Sequence, residues 1–431
     1  MSKEENRKNF SKYVSQNILG MIGFSCYVLA DSYFISIAKG ADGLTALNLV
    51  MPLYSIIFSI GEMIGVGSAI RYAISKIKKD ADADDYFWNA IIWCIMSSMI
   101  FVFAGIFFSS DIMRVLGADE HIVAVGNNYT KIFMCFAPMF MCNYVTNAFV
   151  RNDGAPGIAM SATLFSSLFN IVFDYILMFP MNLGMEGAAL ATALSPIIGM
   201  GICSIHFFSK KSSVRLVVCK PSVRKLVAGS QLGVSAFVGE MSSAVITLAF
   251  NFVILKLTGN VGVAAYGVVA NIAIVTTAVF NGVAQGSQPL ISSCFGMGDK
   301  DGCTQLKRMG YITAFVLAAV MYSILFIFAG QFVAVFNSEG SEMLRLYATE
   351  GVKLYFIGIF FAGINIVGGG AFSATEDAFK AAVVSVARGF VLILGAVFVM
   401  SALFGMTGVW LAYAVAEGIT TFIMLVMALR V

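Results

Sequence analysis

The chain has 431 residues, 59% of them hydrophobic and only 12% charged, with a net charge of +3 at neutral pH. Soluble domains carry roughly 25% charged residues, so a water-soluble fold is excluded and the solvent is lipid. So small a net charge gives no basis for nucleic-acid binding. The eight cysteines form no CxxC pair and only two histidines accompany them. They read as small buried hydrophobes, and neither a structural zinc site nor any cofactor is expected.

Along the chain, the charged opening MSKEENRKNFSK precedes a long apolar run without a small-residue cleavage site. It reads as a retained cytoplasmic tail ahead of the first helix. Twelve runs then follow, at 14–38, 46–72, 86–109, 122–148, 156–180, 185–209, 227–257, 262–288, 309–330, 345–372, 379–402 and 407–429. Each is long enough to cross a bilayer, which takes about 20 apolar residues. The runs are too long and too continuously apolar for β-barrel strands. The fold class is therefore all-α integral membrane, with 12 transmembrane helices. Gln285, Gln288 and Pro289 near the end of the eighth run predict an interrupted helix there.

Basic residues orient the chain. Twenty-one of the 27 Lys and Arg fall on one side: the N-terminal tail, Arg71 to Lys79, Arg151, Lys210 to Lys225, Lys300 to Arg308, Lys380, Arg388 and Arg430. By the positive-inside rule both termini are cytoplasmic, in a multi-pass protein of the cell (inner) membrane.

The chain also repeats itself. Gly184-Met-Glu-Gly-Ala-Ala-Leu-Ala-Thr-Ala193 returns as Gly405-Met-Thr-Gly-Val-Trp-Leu-Ala-Tyr-Ala414, an offset of 221. Gly61 and Gly65 map onto Gly282 and Gly286, and Gly40 and Gly43 onto Gly259 and Gly262. Each half holds six helices, and an even number restores the topology, so the halves are parallel repeats. The organisation expected is a first lobe over 1–213, a basic cytoplasmic linker over 214–226 and a second lobe over 227–431.

Ionisable groups within apolar helices cost about 2.5–3.5 kcal/mol each near mid-membrane, so each calls for a role. The candidates are Asp31, Glu62, Asp174, Glu240 and Glu417, with no Lys or Arg placed as deep. Tyr27 stands four residues before Asp31 and Asn170 four before Asp174, so each pair shares a helix face. Thr192 adds a hydroxyl. Carboxylates, amide and hydroxyl are the hard oxygen ligands a small cation prefers, which makes Asp31, Asn170 and Asp174 a candidate Na⁺ site. Two neighbouring carboxylates equally suit a proton carrier. The second half carries no copy of the acidic pair, since Asp31 maps near Phe250 and Asn251 and Asp174 maps near Leu394 to Val397. Glu240, at mid-depth between the halves, suits a cationic substrate, and Gln288 is grouped with it.

Val28-Leu-Ala-Asp-Ser-Tyr-Phe-Ile35, Arg151-Asn-Asp-Gly, Asn170-Ile-Val-Phe-Asp174, the Gly184 segment and Gln285-Gly-Ser-Gln-Pro289 together resemble the multidrug and toxic compound extrusion (MATE) transporters, over essentially the whole chain. The resemblance implies a V-shaped pair of six-helix lobes around a central cavity, with Na⁺ or H⁺ entry driving export of organic cations or drugs. It implies a cation site at Asp31, Asn170, Asp174 and Thr192 with Tyr27 adjoining, and an acidic substrate residue at Glu240. Helix 1 departs from the family in lacking an early proline, with Val14-Ser-Gln-Asn-Ile18 in its place.

An enzyme is not expected. Gly296-Met-Gly-Asp299 matches an intramembrane aspartyl protease signature, but it falls in a charged stretch and reads as a turn. There is no HExxH, GxSxG or Walker A sequence. The nearer alternative is a flippase of lipid-linked or polysaccharide precursors, which displays several cavity arginines where this chain displays acids. The partners expected are small organic cations and the bilayer, and the protein is expected to be a monomer.

Overall fold

The structure is a computed structural model that describes residues 3–336 and 341–429; Arg430, counted above with the basic flank, lies outside them. Among the described residues all regular structure is helical. Helices α1 (Lys3–Gly40) and α2 (Asp42–Lys78) are followed by α3 (Asp85–Val115). Helix α4 comprises Glu120–Cys135 and Ala137–Asn152, bent by 46°. The bend has a cause in Pro138, which opens the second piece and cannot extend the hydrogen-bond ladder of the first. Helices α5 (Pro156–Met178) and α6 (Gly184–Phe207) complete the first lobe.

In the second lobe α7 (223–258) and α8 (260–296) are separated at Gly259, and α11 (378–404) and α12 (406–429) at Gly405. Between these pairs run α9 (Lys300–Ile327) and α10 (Glu342–Ala374). Among the described residues nine uninterrupted segments are long and apolar enough to span, and the bent α4 makes ten. Opening the two segments that contain Gly259 and Gly405 gives the twelve expected.

The repeat is drawn in the backbone itself. Gly40 (φ 58°, ψ −141°) has its counterpart in Gly259 (φ 68°, ψ −157°), 219 residues on. Gly184 (φ 51°) has its counterpart in Gly405 (φ 59°), 221 residues on. A side chain is strongly disfavoured in this region, so the helix hairpins keep glycine in both halves. Lys79 and Gly298 are left-handed at an offset of 219, and Gly154 and Glu376 at one of 222.

Each lobe has its own apolar core, and each lends a helix end to the other. Phe10 and Val14 of α1 pack into the second-lobe core beside Phe280 and Leu306. Leu232 of α7 packs into the first-lobe core beside Ile70 and Tyr72. The lobes touch through bare backbone. A Cβ on Gly67 would stand 2.1 Å from the Gly229 carbonyl oxygen, and one on Gly233 would stand 2.0 Å from that of Met63. On the other side of the interface, a Cβ on Gly282 would stand 2.6 Å from the Ile18 Cα. These contacts lie at the basic ends of the helices. Large side chains elsewhere face outward, as Ile100, Phe107 and Phe165 do, which is the arrangement lipid requires.

Two expectations are corrected. The opening segment is not a free tail: α1 begins at Lys3, and Asn6 donates to Gln305 of α9 at 3.3 Å. The eighth helix is not interrupted at Gln285–Pro289. It continues to Gly296, because packing on α1 and α10 holds the backbone around the proline. The Gly296–Asp299 stretch is a turn, as expected, and Asp299 caps α9, its carboxylate accepting from the Gly302 amide at 2.8 Å. That hydrogen bond holds the Asp299 carboxyl below its usual pKa.

The segment joining the lobes is fastened to the first of them. Buried Asp153 accepts from His206 Nε2 at 2.8 Å, the Ser213 amide at 2.9 Å and the Ser212 hydroxyl at 3.2 Å. Further on, the Ser222 amide donates to Asn89 Oδ1 at 2.6 Å, and Lys225 pairs with Asp82 and Asp85.

Candidate functional site

Between the lobes lies a cavity of about 390 Å³, walled by α1 and α2 on one side and by α7, α8 and α10 to α12 on the other. Val66 and Gln285, the chain neighbours of the interface glycines Gly67 and Gly286, are among its lining residues. Asp31, Tyr27 and Thr192 open onto it from the first lobe, and Glu240, Gln285 and Gln288 from the second.

Behind this wall the expected ion-site residues come together. Asp174 and Asn170 are fully buried, Thr192 and Asp31 nearly so. The Asn170 amide donates to Asp174 Oδ2 at 3.0 Å, and its oxygen accepts from the Thr192 hydroxyl at 3.1 Å. Asp31 and Asp174 lie within electrostatic reach of each other, and Tyr27 lies in the field of both. One oxygen of each carboxylate, Oδ1 of Asp31 and Oδ1 of Asp174, is buried with no hydrogen-bond partner. An unpaired buried carboxylate oxygen is costly, and a proton or a small cation is the kind of partner that would relieve it. Among the described residues no three His, Cys, Asp or Glu gather as a metal cluster. The donor set is instead two carboxylates with neutral oxygens, which suits a monovalent ion.

On the opposite wall Glu240 has neither a hydrogen bond nor an ion pair among the described residues, and Gln288 Oε1 is buried without a partner. Tyr355 and Tyr413 stack there with centroids 4.3 Å apart. The wall therefore offers one acidic group, an unpaired amide oxygen and flat aromatic faces.

The expectation that no Lys or Arg reaches the depth of the acids is overturned. Arg388 is not on the basic flank. It sits in a π-helical turn of α11, Ala387–Val391, and lines the cavity. Its Nη2 donates to Glu417 Oε1 at 2.7 Å and its Nε to the same oxygen at 3.0 Å. Asn365 Nδ2 donates to Glu417 Oε2 at 2.7 Å. Arg388 stands ten residues into a helix, and at 1.5 Å per residue that is about 15 Å, or mid-bilayer. That count was the available signal. Glu62 is likewise partnered, accepting from Gln285 Nε2 at 3.2 Å, while Gln285 Oε1 accepts from buried Arg151 at 2.6 Å.

Comparison with known proteins now decides the family. The MatE family model matches residues 17–176 and again 236–399, one match in each lobe. The chain belongs to the MatE family. A multidrug export protein MepA of Staphylococcus saprophyticus is 27% identical over 410 residues, covering 93% of this chain and 89% of that one. A MepA of Staphylococcus aureus is 28% identical over 414 residues at the same coverage. Among solved structures, an outward-facing multidrug resistance MATE transporter superposes with a TM-score of 0.92 at 20% identity, covering 99% of this chain and 96% of that one. A Pyrococcus furiosus transporter of the same superfamily, described as having a binding pocket of reverse polarity, superposes at 0.91 with 19% identity over 99% and 95% of the two chains. These likenesses fix the fold of this MatE protein as two six-helix lobes in a V. Which of its residues carry transport rests on the geometry above.

Proposed function

We propose that this MatE protein is a secondary antiporter that exports organic cations in exchange for Na⁺ or H⁺. One observation supports the reading: two buried carboxylates within electrostatic reach of each other each leave an oxygen unpartnered, and Asp31 opens onto the cavity. Asp31, Asp174, Asn170 and Thr192 hold the coupling ion, with Tyr27 beside them. Glu240 and the stacked tyrosines face the cargo.

The positive-inside rule supports lobe contacts on the cytoplasmic side and hence an outward-facing cavity. An ion entering from outside neutralises the Asp31–Asp174 pair. The first lobe then repacks and the cargo leaves. Lobe motion follows, and because segment 208–222 is fastened to the first lobe, the flexing point is the start of α7. A membrane potential of 100 mV supplies about 2.3 kcal/mol per charge moved. That sustains roughly a fifty-fold cargo gradient at 1.4 kcal/mol per tenfold.

A flippase for phosphate-bearing precursors is disfavoured by the cavity's charge. Among its lining residues Arg388 is the one basic side chain, and Glu417 already neutralises it. The test is the purified protein in liposomes, offered ethidium under an imposed Na⁺ or H⁺ gradient. Gradient-driven ethidium movement supports the antiporter. Movement of a fluorescent anionic lipid with none of ethidium overturns it.

A further inference from the structure

A hydrogen-bonded chain at the cavity wall passes from one lobe to the other. Gln285 belongs to α8 of the second lobe, yet its side chain works inside the first. Gly282 and Gly286 make this possible: a Cβ on Gly286 would stand 2.8 Å from the Val14 Cα, so the two helices meet backbone to backbone beside it. From there Gln285 Oε1 accepts from Arg151 Nη1 at 2.6 Å and Gln285 Nε2 donates to Glu62 Oε1 at 3.2 Å. Arg151 is 4% exposed and Glu62 8%, so both ends of the bridge are buried first-lobe charges. The amide suits the place because its two ends are opposite: the carbonyl meets a guanidinium and the NH₂ meets a carboxylate.

Glu62 also faces the cargo cavity, with Glu240 as an electrostatic neighbour. A second cavity of about 110 Å³ lies beside the bridge and is lined by Arg151, Glu62, Gln285 and Glu240 together. A cation that settles between Glu62 and Glu240 competes with the Gln285 amide for the Glu62 carboxylate. It has the advantage, because charged partners bind a carboxylate more strongly than a neutral amide does. Once the bridge is released, the basic ends are held by the glycine contacts and by Glu376, which pairs with Arg71 and lies 3.6 Å from Lys78.

We infer that Gln285 is a positioning residue that couples occupation of the cavity at Glu62 to closure of the lobes at their basic ends. The inference rests on the antiporter reading for the identity of the occupant, a cation. The bridge and its effect on closure do not depend on it.

The experiment uses the full chain in nanodiscs, with Cys26, Cys135 and Cys219 replaced by Ser and spin labels on Lys79→Cys and Lys300→Cys. The distance between the labels is read by pulsed electron resonance with and without tetraphenylphosphonium. In the parent, the short distance dominates and the cation raises the long-distance population several-fold. In Gln285→Ala the long distance is already populated without the cation, and adding it changes little. Gln285→Glu opens the basic ends by repelling Glu62. The exchange Gln285→Glu with Glu62→Gln restores the short distance, because the acid and amide have traded places. That rescue is not expected if Gln285 merely fills space. A Gln285→Ala distribution matching the parent in both conditions overturns the inference. So does a double exchange no closer to the parent than Gln285→Glu alone. Should the parent fail to move ethidium while Gln285→Ala still opens the basic ends, the antiporter reading falls and the bridge stands.

Discussion

Removing Glu417 while leaving Arg388 in place strands a guanidinium in the middle of the membrane. In Glu417→Ala, Arg388 loses contacts at 2.7 Å and 3.0 Å to one carboxylate oxygen and at 3.3 Å to the other. Breaking a buried ion pair on one side costs about 3–5 kcal/mol. Arg388 borders the cavity with its side chain 17% exposed, so water recovers part of its solvation and the cost falls near the lower end. About 3 kcal/mol lowers the folded-to-unfolded ratio by roughly a hundred-fold. Replacing both residues, as Arg388→Met with Glu417→Met, removes the stranded charge and is expected to return stability close to the parent. Unfolding of the purified protein in mixed micelles, followed by helix content, reads all three. A Glu417→Ala protein as stable as the parent refutes the reasoning, as does a double variant that loses as much as the single one.

Two further outcomes follow from the packing. Gly67→Ala puts a methyl 2.1 Å from a backbone oxygen, so the lobes cannot seat at their basic ends; a reporter thiol at Leu232→Cys, shielded in the parent, is expected to label several-fold faster, and an unchanged rate contradicts the contact. Asp153→Ala removes the acceptor that holds Ser212, Ser213 and His206. Trypsin then cuts at Lys210, Lys211 and Arg215 faster in the variant, and equal cutting shows that the segment is held by something else.

The architecture was open to reading because lipid imposes a simple rule on sequence. Runs of apolar residues long enough to span announce each helix, and the hairpin glycines at Gly40, Gly184, Gly259 and Gly405 announce the repeat. Asp31, Asn170, Asp174 and Thr192 were legible as a group because acids in apolar helices are expensive and the i, i+4 spacing puts their neighbours on one face. Partners across helices were not legible. Arg388 and Glu417 stand 29 residues apart on different helices, and a count of basic residues by side absorbed Arg388 into the flank. Gln285 meets Arg151 and Glu62 across the lobe interface, 134 and 223 residues away, and helical periodicity carries no trace of such pairings. The break expected at Pro289 failed for a related reason. A proline in a membrane helix is tolerated when neighbouring helices hold the backbone, and packing is what sequence does not display.

The central claim is that energy enters through the two acids of the first lobe. Its most direct measurement compares the parent with Asp31→Asn and Asp174→Asn in proteoliposomes, scoring tetraphenylphosphonium binding and gradient-driven ethidium transport on the same preparations. The account predicts folded variants that still bind the cation in the cavity but no longer respond to either a Na⁺ or an H⁺ gradient. Variants that pump like the parent under the same gradient contradict it.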